Sequence, residues 1–396
     1  MVFPRTTVAP ETFPAWRALR APCRGVVFLD LDLRPFDAEL SDRPQPRDPS
    51  EACVFLGCRL GPMMADIAAV TQALVMPRIP GAGVDAFRSD LYTVDELYEG
   101  FSPGGPAGYR ATRDWRVYTS YMRVDAEGHP ATPPQRVPVG VEVTLARRLH
   151  DGSISDALHA FLASFQPPAG PGVVAFMGGT DTPRDAPEFR AVAEAARALA
   201  ARGLLVATGG GPGLMEAANL GAWASAYPDP VLDDALAGLA AAPTFRDPGW
   251  ADAAWSVRGR HPRAEGAGVS LGVPTWFYGH EPPNMFASHI AKYFENSLRE
   301  EGLLAIATHG VIFAPGRAGT VQEVFQDACQ NFYAVYGVRS PMVLLGSRYW
   351  TDAGGDGYPA APLLAKLASD GGFAERVHVT DDPDEAVEII AAFSPA

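Results

Sequence analysis

The period of the apolar positions changes near the middle of the chain. From residue 172 onward, short apolar runs alternate with longer stretches in which apolar residues return every three or four positions. "VVAFM" (Val173–Met177) reads as a buried strand, ended by Gly178-Gly179. Phe189, Val192, Ala196 and Leu199 then share one helical face, while Arg190, Glu194 and Arg197 lie off it. "GLLVATGGGPGLMEAANLGAW" repeats the theme: strand Leu204 to Thr208, glycine loop Gly209 to Gly213, helix from Leu214. "GVSLGV", "GVIFA", "PMVLLG" and "RVHVT" continue the strands, and helices are expected over Ser288 to Glu301, Val321 to Val335 and Asp384 to Phe393. Strands alternating with helices predict an α/β fold, a Rossmann-like doubly wound parallel sheet covered on both faces.

The first 150 residues carry a rougher version. "RGVVFLDLDL", "EACVFLGCRL" and "TQALVMPRIPG" read as strands, with a helix around Pro62 to Ala73. "ACVFLGC" echoes "VVAFMGG", which fits either a degenerate second α/β unit or chance similarity between buried strands. Two Pro/Gly-rich stretches punctuate the chain, Phe101 to Arg110 and Phe165 to Gly172. The second reads as a linker, giving an N-terminal α/β region over 1–165 and a second α/β domain over 166–396. The stretch "DALAGLAAAPTFRDPGWADAAWSVRGRHPRAEG" has no clean period and reads as an insertion positioned to cover the site.

The 396 residues suit two or three domains, and 47% hydrophobic residues allow a sizeable core. A net charge of -14 argues against broad nucleic-acid binding but not against a small anion held by loop amides. Cys23, Cys53, Cys58 and Cys329 are scattered, with neither a CxxC pair nor a Cys/His cluster, so a reducing cytoplasm and core-filling thiols are expected. His280, His289 and His309 have no ligand spacing, and no metal is expected. The N-terminus lacks the pattern of a signal peptide, and no stretch of about 18 apolar residues suggests a membrane span.

The candidate chemistry lies in three strand-to-helix glycine junctions: Gly178-Gly179-Thr180, Gly209 to Gly213, and "PGRAGT" from Pro315 to Thr320. Such loops leave amides unpaired beside a positive helix N-terminus and suit a phosphate or carboxylate. They equally serve as tight turns. None has the GxGxxG spacing or the GxxxxGK[ST] pattern, so a mononucleotide phosphate fits better than a dinucleotide or ATP hydrolysis. Thr320-Val321-Gln322-Glu323 has the spacing of a capping box. Glu323 is therefore either a helix cap or a carboxylate acting beside a bound phosphate.

"GGGPGLMEAANLGA" and "PGRAGTVQE" resemble the two signature segments of the LOG family, the lysine-decarboxylase-like Rossmann proteins, whose second signature is PGGxGTxxE. The resemblance covers about residues 171 to 394, including "EPPN" (Glu281 to Asn284) and "VHVTDDPDEAVEII". Longer bacterial relatives also carry an N-terminal region. It implies a nucleoside 5'-monophosphate phosphoribohydrolase, a hydrolase releasing a free base and ribose 5-phosphate without cofactor, in the cytoplasm as a homodimer. Carried across, Gly210, Gly211 and Gly213 fall in the first loop, Gly316, Gly319 and Thr320 in the phosphate-holding second, and Glu323 on the catalytic glutamate. Arg317 replaces the second Gly of PGG, where it either helps to bind phosphate or crowds the loop. Arg299 is the best counterpart of the family's functional Arg, although its register differs and no Lys follows it. Met215, Glu216, Asn284 and Asn296 are candidate base or sugar contacts, Glu216 being as well suited to simple charge in a helix's first turn. The rival readings are a nucleotide-binding or sensing protein without catalysis and, more weakly, an NAD-type dehydrogenase.

Overall fold

The computed structural model describes residues 6–395 apart from 81–82, 126–130, 132, 134, 166–171, 278–280 and 353–354. The expected linker lies largely outside the described residues, as does His280. In chain order the elements begin β1 (Thr6–Val8), α1 (Phe13–Ala18), β2 (Val26–Leu29), α2 (Asp37–Ser41), β3 (Val54–Leu56), α3 (Pro62–Val70) and β4 (Leu74–Met76). Three short helices follow, α4 (Val94–Leu97), α5 (Pro106–Arg110) and α6 (Arg113–Thr119), and then the long α7 (Val141–Phe165). The remainder runs β5 (Val173–Met177), α8 (Pro187–Ala201), β6 (Leu205–Thr208), α9 (Leu214–Ala224), α10 (Asp229–Leu239), α11 (Trp250–Arg260), β7 (Ser270–Gly272), β8 (His289–Ile290) and α12 (Asn296–Ala305). It closes with β9 (Gly310–Phe313), α13 (Ala318–Tyr333), β10 (Met342–Leu345), α14 (Ser347–Thr351), α15 (Ala361–Gly371), β11 (Val377–Thr380) and α16 (Pro383–Ala392).

The chain forms two compact units, one of residues 1–91 with 138–161 and one of residues 92–137 with 162–396. This differs from a single boundary at 165. Residues 92–137 belong with the second unit because Tyr92 bridges Ile290 and buried Asp114 binds Lys292 (2.5 Å) and the Trp276 indole (2.8 Å).

In the first unit four parallel strands stand in the order β1-β2-β3-β4. Strand alternation sorts the side chains. Phe28 and Phe55 stack at 5.3 Å among Phe13, Trp16 and Met64, while Val27, Leu29, Leu56 and Met76 pack with Ala146 and Leu149 of α7. This order never reverses, so the unit has no counterpart of the crevice that doubly wound sheets offer. Burial pushes the Cys23 thiol up to about 12 and Cys58 to about 11, which leaves them core residues of low reactivity.

The second unit holds a seven-stranded parallel sheet, β11-β10-β9-β5-β6-β7-β8. Strands β5, β6, β9 and β10 are buried along their whole length, as expected for a sheet covered on both faces. From β7 across to β11 the order is the doubly wound one, with its reversal between β5 and β9. The chain is thus an α/β protein with a Rossmann-like sheet and an additional N-terminal α/β region.

Two expectations are corrected. Residues 288–295 do not begin a helix: His289–Ile290 form β8 beside β7, and α12 starts only at Asn296. The stretch without a clean period holds helical structure, the latter part of α10 and all of α11. Its periodicity was masked by small residues, since Ala235, Ala251 and Ala254 are buried beside Leu236 and Trp250.

All eleven residues of α9 are buried, so its polar side chains require partners. Glu216 receives both sides of the Arg184 fork (2.9 and 2.6 Å), and Arg184 also donates to the carbonyls of Ala242 and Trp250. Asn219 accepts from Thr208 and from Asn284, both at 2.8 Å. Glu216→Ala strands a buried guanidinium, and we expect a loss of about 3–5 kcal/mol. Urea unfolding checks this, with Arg190→Ala on the exposed face of α8 expected within about 0.5 kcal/mol of the parent.

Candidate functional site

Beyond the carboxyl ends of β5, β9 and β10 opens a cleft of about 1100 Å³. It lies at the reversal of the sheet, where the loops after β5 and β9 leave in different directions. Those loops touch: the Gly179 amide donates to the Pro315 carbonyl (2.9 Å), and the Leu214 amide donates to the Gly179 carbonyl (3.1 Å). A Cβ on Gly316 would collide with the Thr320 hydroxyl and lie 2.9 Å from the Gly179 nitrogen. Tyr349, just after β10, donates its hydroxyl to the Gly316 carbonyl (2.6 Å) and holds this loop from the other side.

Helix α13 starts at Ala318, with Arg317 as an N-cap whose side chain makes no capping bond. The Val321 amide reaches back to the Arg317 carbonyl at 3.0 Å. The amides of Ala318, Gly319 and Thr320 precede it and face outward from the helix start, a suitable cradle for an anion. The expected capping box is not formed. Thr320 is already the third helical residue, and Glu323 sits a turn further in, with only 5% of its surface exposed.

Glu323 instead meets Arg299, whose guanidinium lies 3.1 Å from its carboxylate. Arg299 comes from the first turn of α12, donates to the Val273 carbonyl (3.2 Å) and lies 3.6 Å from Glu300. Burial pushes the Glu323 carboxyl up to about 7; Arg299 pulls it down, and the neighbouring Glu300 and Glu281 push it further up. Near neutral pH it exists in both protonation states, which suits proton transfer.

The sequence-derived candidates divide into two groups. Gly178, Gly179, Gly316, Arg317, Gly319, Thr320, Met215, Arg299 and Glu323 all line the cleft. Gly210, Gly211 and Gly213 sit behind it. There the Gly210 carbonyl accepts from the Asn284 amide (2.9 Å), the Gly211 carbonyl from the Asn284 side chain (3.1 Å), and Gly213, with φ +67, packs against Gly179 and Thr180. Glu216 and Asn284 are fully buried in this scaffold, away from the cleft. Asn296 lines a small adjoining cavity of about 20 Å³ with Gly209, Glu281 and Arg299. The first glycine motif therefore shapes the site largely from behind, and the second forms its wall.

Thr180 of the first glycine junction also lines the cleft, as do Glu281, Asp181 and Tyr349, which no local pattern marks. Glu281 opens the "EPPN" segment, but nothing in its spacing marks it; it joins the site only through folding. Arg317 is largely exposed and lies 3.5 Å from Asp181. Among the described residues, no group of three or more His, Cys, Asp or Glu could hold a metal ion, and no helix is long and apolar enough to cross a membrane.

No family model matches the chain, and neither does any curated protein. Solved structures do. The molybdenum cofactor binding protein of the phototrophic bacterium Rippkaea orientalis is 16% identical, with 57% of this chain and 98% of that one covered, at a TM-score of 0.34. The molybdenum cofactor carrier protein of Chlamydomonas reinhardtii is 17% identical, with 56% of this chain and 97% of that one covered, also at 0.34. Values this low carry no functional inference.

Two outcomes follow from this geometry. Gly316→Ala should destabilise the fold by about 1–3 kcal/mol, because the new methyl group forces the β9 loop away from Gly179; urea unfolding measures it. Asp327, one turn beyond Glu323, is buried with an unpartnered Oδ2, and burial pushes it from 3.8 up to about 8. Its proton is held more tightly in the folded chain than in the unfolded one. The contribution of Asp327 to stability should therefore fall as pH rises from about 4 to about 8, by at most about 1.4 kcal/mol per pH unit, and Glu323 adds a fall of the same sign. Asp327→Asn should remove the Asp327 part of that slope in denaturant melts run across the same range, leaving the part due to Glu323.

Proposed function

We propose that this protein is a nucleoside 5'-monophosphate phosphoribohydrolase, cleaving the N-glycosidic bond to give a free base and ribose 5-phosphate. The observation that carries the proposal is the Arg299–Glu323 pair on the same cleft wall as an unencumbered helix N-terminus. The amides of Ala318, Gly319 and Thr320 take the 5'-phosphate, with the Thr320 hydroxyl as a further donor and Arg317 turning from Asp181 toward the added charge. The ribose then lies toward Glu323. As the base departs, positive charge develops over C1' and the ring oxygen, and the Glu323 carboxylate stabilises it and takes a proton from the attacking water. Arg299 holds the carboxylate in place. The reading needs no cofactor and no metal; the family resemblance adds a cytoplasmic homodimer as part of the proposal.

A second reading, nucleotide binding without turnover, draws on the engagement of Arg299 with Val273 and Glu300, which makes it part of the scaffold. A panel of nucleoside 5'-monophosphates, incubated with the parent and with Glu323→Gln, separates the two. The expected result is release of base and ribose 5-phosphate by the parent, falling with acidity below about pH 7 as Glu323 takes up its proton, and a loss of at least ~10²-fold in the variant. Phosphate-dependent binding without release from any nucleotide would establish the second reading instead.

A further inference from the structure

The proposed reaction leaves one problem unassigned. A departing purine or pyrimidine carries an electron pair on nitrogen and is a poor leaving group unless protonated. Glu323 faces the sugar side and, as the base for water, takes a proton instead of giving one. A second group must deliver a proton to the base.

We infer that Glu281 is that general acid, an inference that rests on the phosphoribohydrolase reading. Its carboxyl lines the main cleft together with Glu323, and also the small adjoining cavity that Arg299 lines. It is held by a hydrogen bond with the Thr180 side chain from the β5 loop. A Cβ on Gly211 would lie 3.2 Å from Glu281 Oε2, so the first glycine loop backs it closely. The charged groups acting on it are Arg299 from α12, Lys292 from the stretch after β8, Asp181 from the β5 loop and Glu323 from α13. Lys292 is itself bound to Asp114 at 2.5 Å. Burial is the largest influence and raises the Glu281 carboxyl above its ordinary value, with Asp181 adding to the rise against the pull of Arg299 and Lys292. Two carboxyls on one cleft can divide the labour, one giving a proton to the base and the other taking one from water.

The step balances. The Glu281 proton passes to a ring nitrogen of the base as the C1'–N bond breaks, and the bonding pair leaves with the base. Water adds to C1' and gives a proton to Glu323. A proton then returns from Glu323 to Glu281 through solvent, and the net reaction is hydrolysis.

The test compares two leaving groups. Parent and Glu281→Gln are assayed on a nucleoside 5'-monophosphate cleaved by the parent and on 4-nitrophenyl riboside 5-phosphate, whose phenolate leaves without protonation. We expect the variant to lose ~10²- to 10³-fold on the nucleotide and less than about fivefold on the nitrophenyl substrate. Equal losses on both substrates, or no loss on either, would overturn the assignment. Affinity for ribose 5-phosphate, unchanged in the variant, confirms an intact site. If the Gln variant does not fold, Glu281→Ala is assayed with added acetate buffer: rescue confined to the nucleotide supports the assignment, and no rescue or rescue of both substrates overturns it. A parent that binds ribose 5-phosphate but cleaves neither substrate would instead remove the phosphoribohydrolase reading itself.

Discussion

The second unit depends on how closely two backbones approach where its sheet reverses. Gly179 and Pro315 share a hydrogen bond, Gly213 packs under Gly179 and Thr180, and Gly316 has no space for a side chain. Side chains larger than hydrogen at these positions would prise apart the loops after β5 and β9. The helix starts would then no longer border one cleft. The glycines are thus required less for the turns that each makes alone than for the contact that they make together.

This contact brings an unusual helix to the sheet. The inward face of α13 carries Thr320, Glu323, Asp327 and Asn331, all at most 5% exposed. Asn331 is satisfied by both backbone groups of Ser340 and so fixes the entry to β10. Glu323 is satisfied by Arg299. Asp327 has one buried oxygen without a hydrogen-bond partner, a cost that the surrounding fold carries. Burying polar groups in a row along one helix costs stability that an apolar stripe would have supplied, and such departures from the apolar pattern gather where a site is built.

Much of the second unit is legible in the chain. Strand-length apolar runs that end in glycine give β5, β6, β9 and β10 within a residue or so, and amphipathic spacing gives α8. What escapes is what depends on distant partners. Two-residue β8 pairs only because β7 lies beside it, and the helices α10 and α11 bury alanines that leave little periodic signal. The start of α13 is misread by its own sequence. Thr320 and Glu323 have capping-box spacing, yet the helix starts earlier because Pro315-Gly316 turns the chain sooner. In the site, the glycine motifs and Glu323 announce themselves by pattern. Glu281 and Tyr349 do not, since a lone glutamate before two prolines and a tyrosine after a strand have no local mark of function.

Glu323 half-ionised near neutral pH has a consequence for ligand binding. An anion brought into the same cleft raises the carboxyl's hold on its proton, so the bound state carries more protons than the free one. By reciprocity, the protonated form binds that anion more tightly, by the same factor that the anion raises its proton affinity. For such an anion, occupancy of the cleft and the charge on one buried carboxyl are a single linked equilibrium, and binding shifts that carboxyl toward its protonated form.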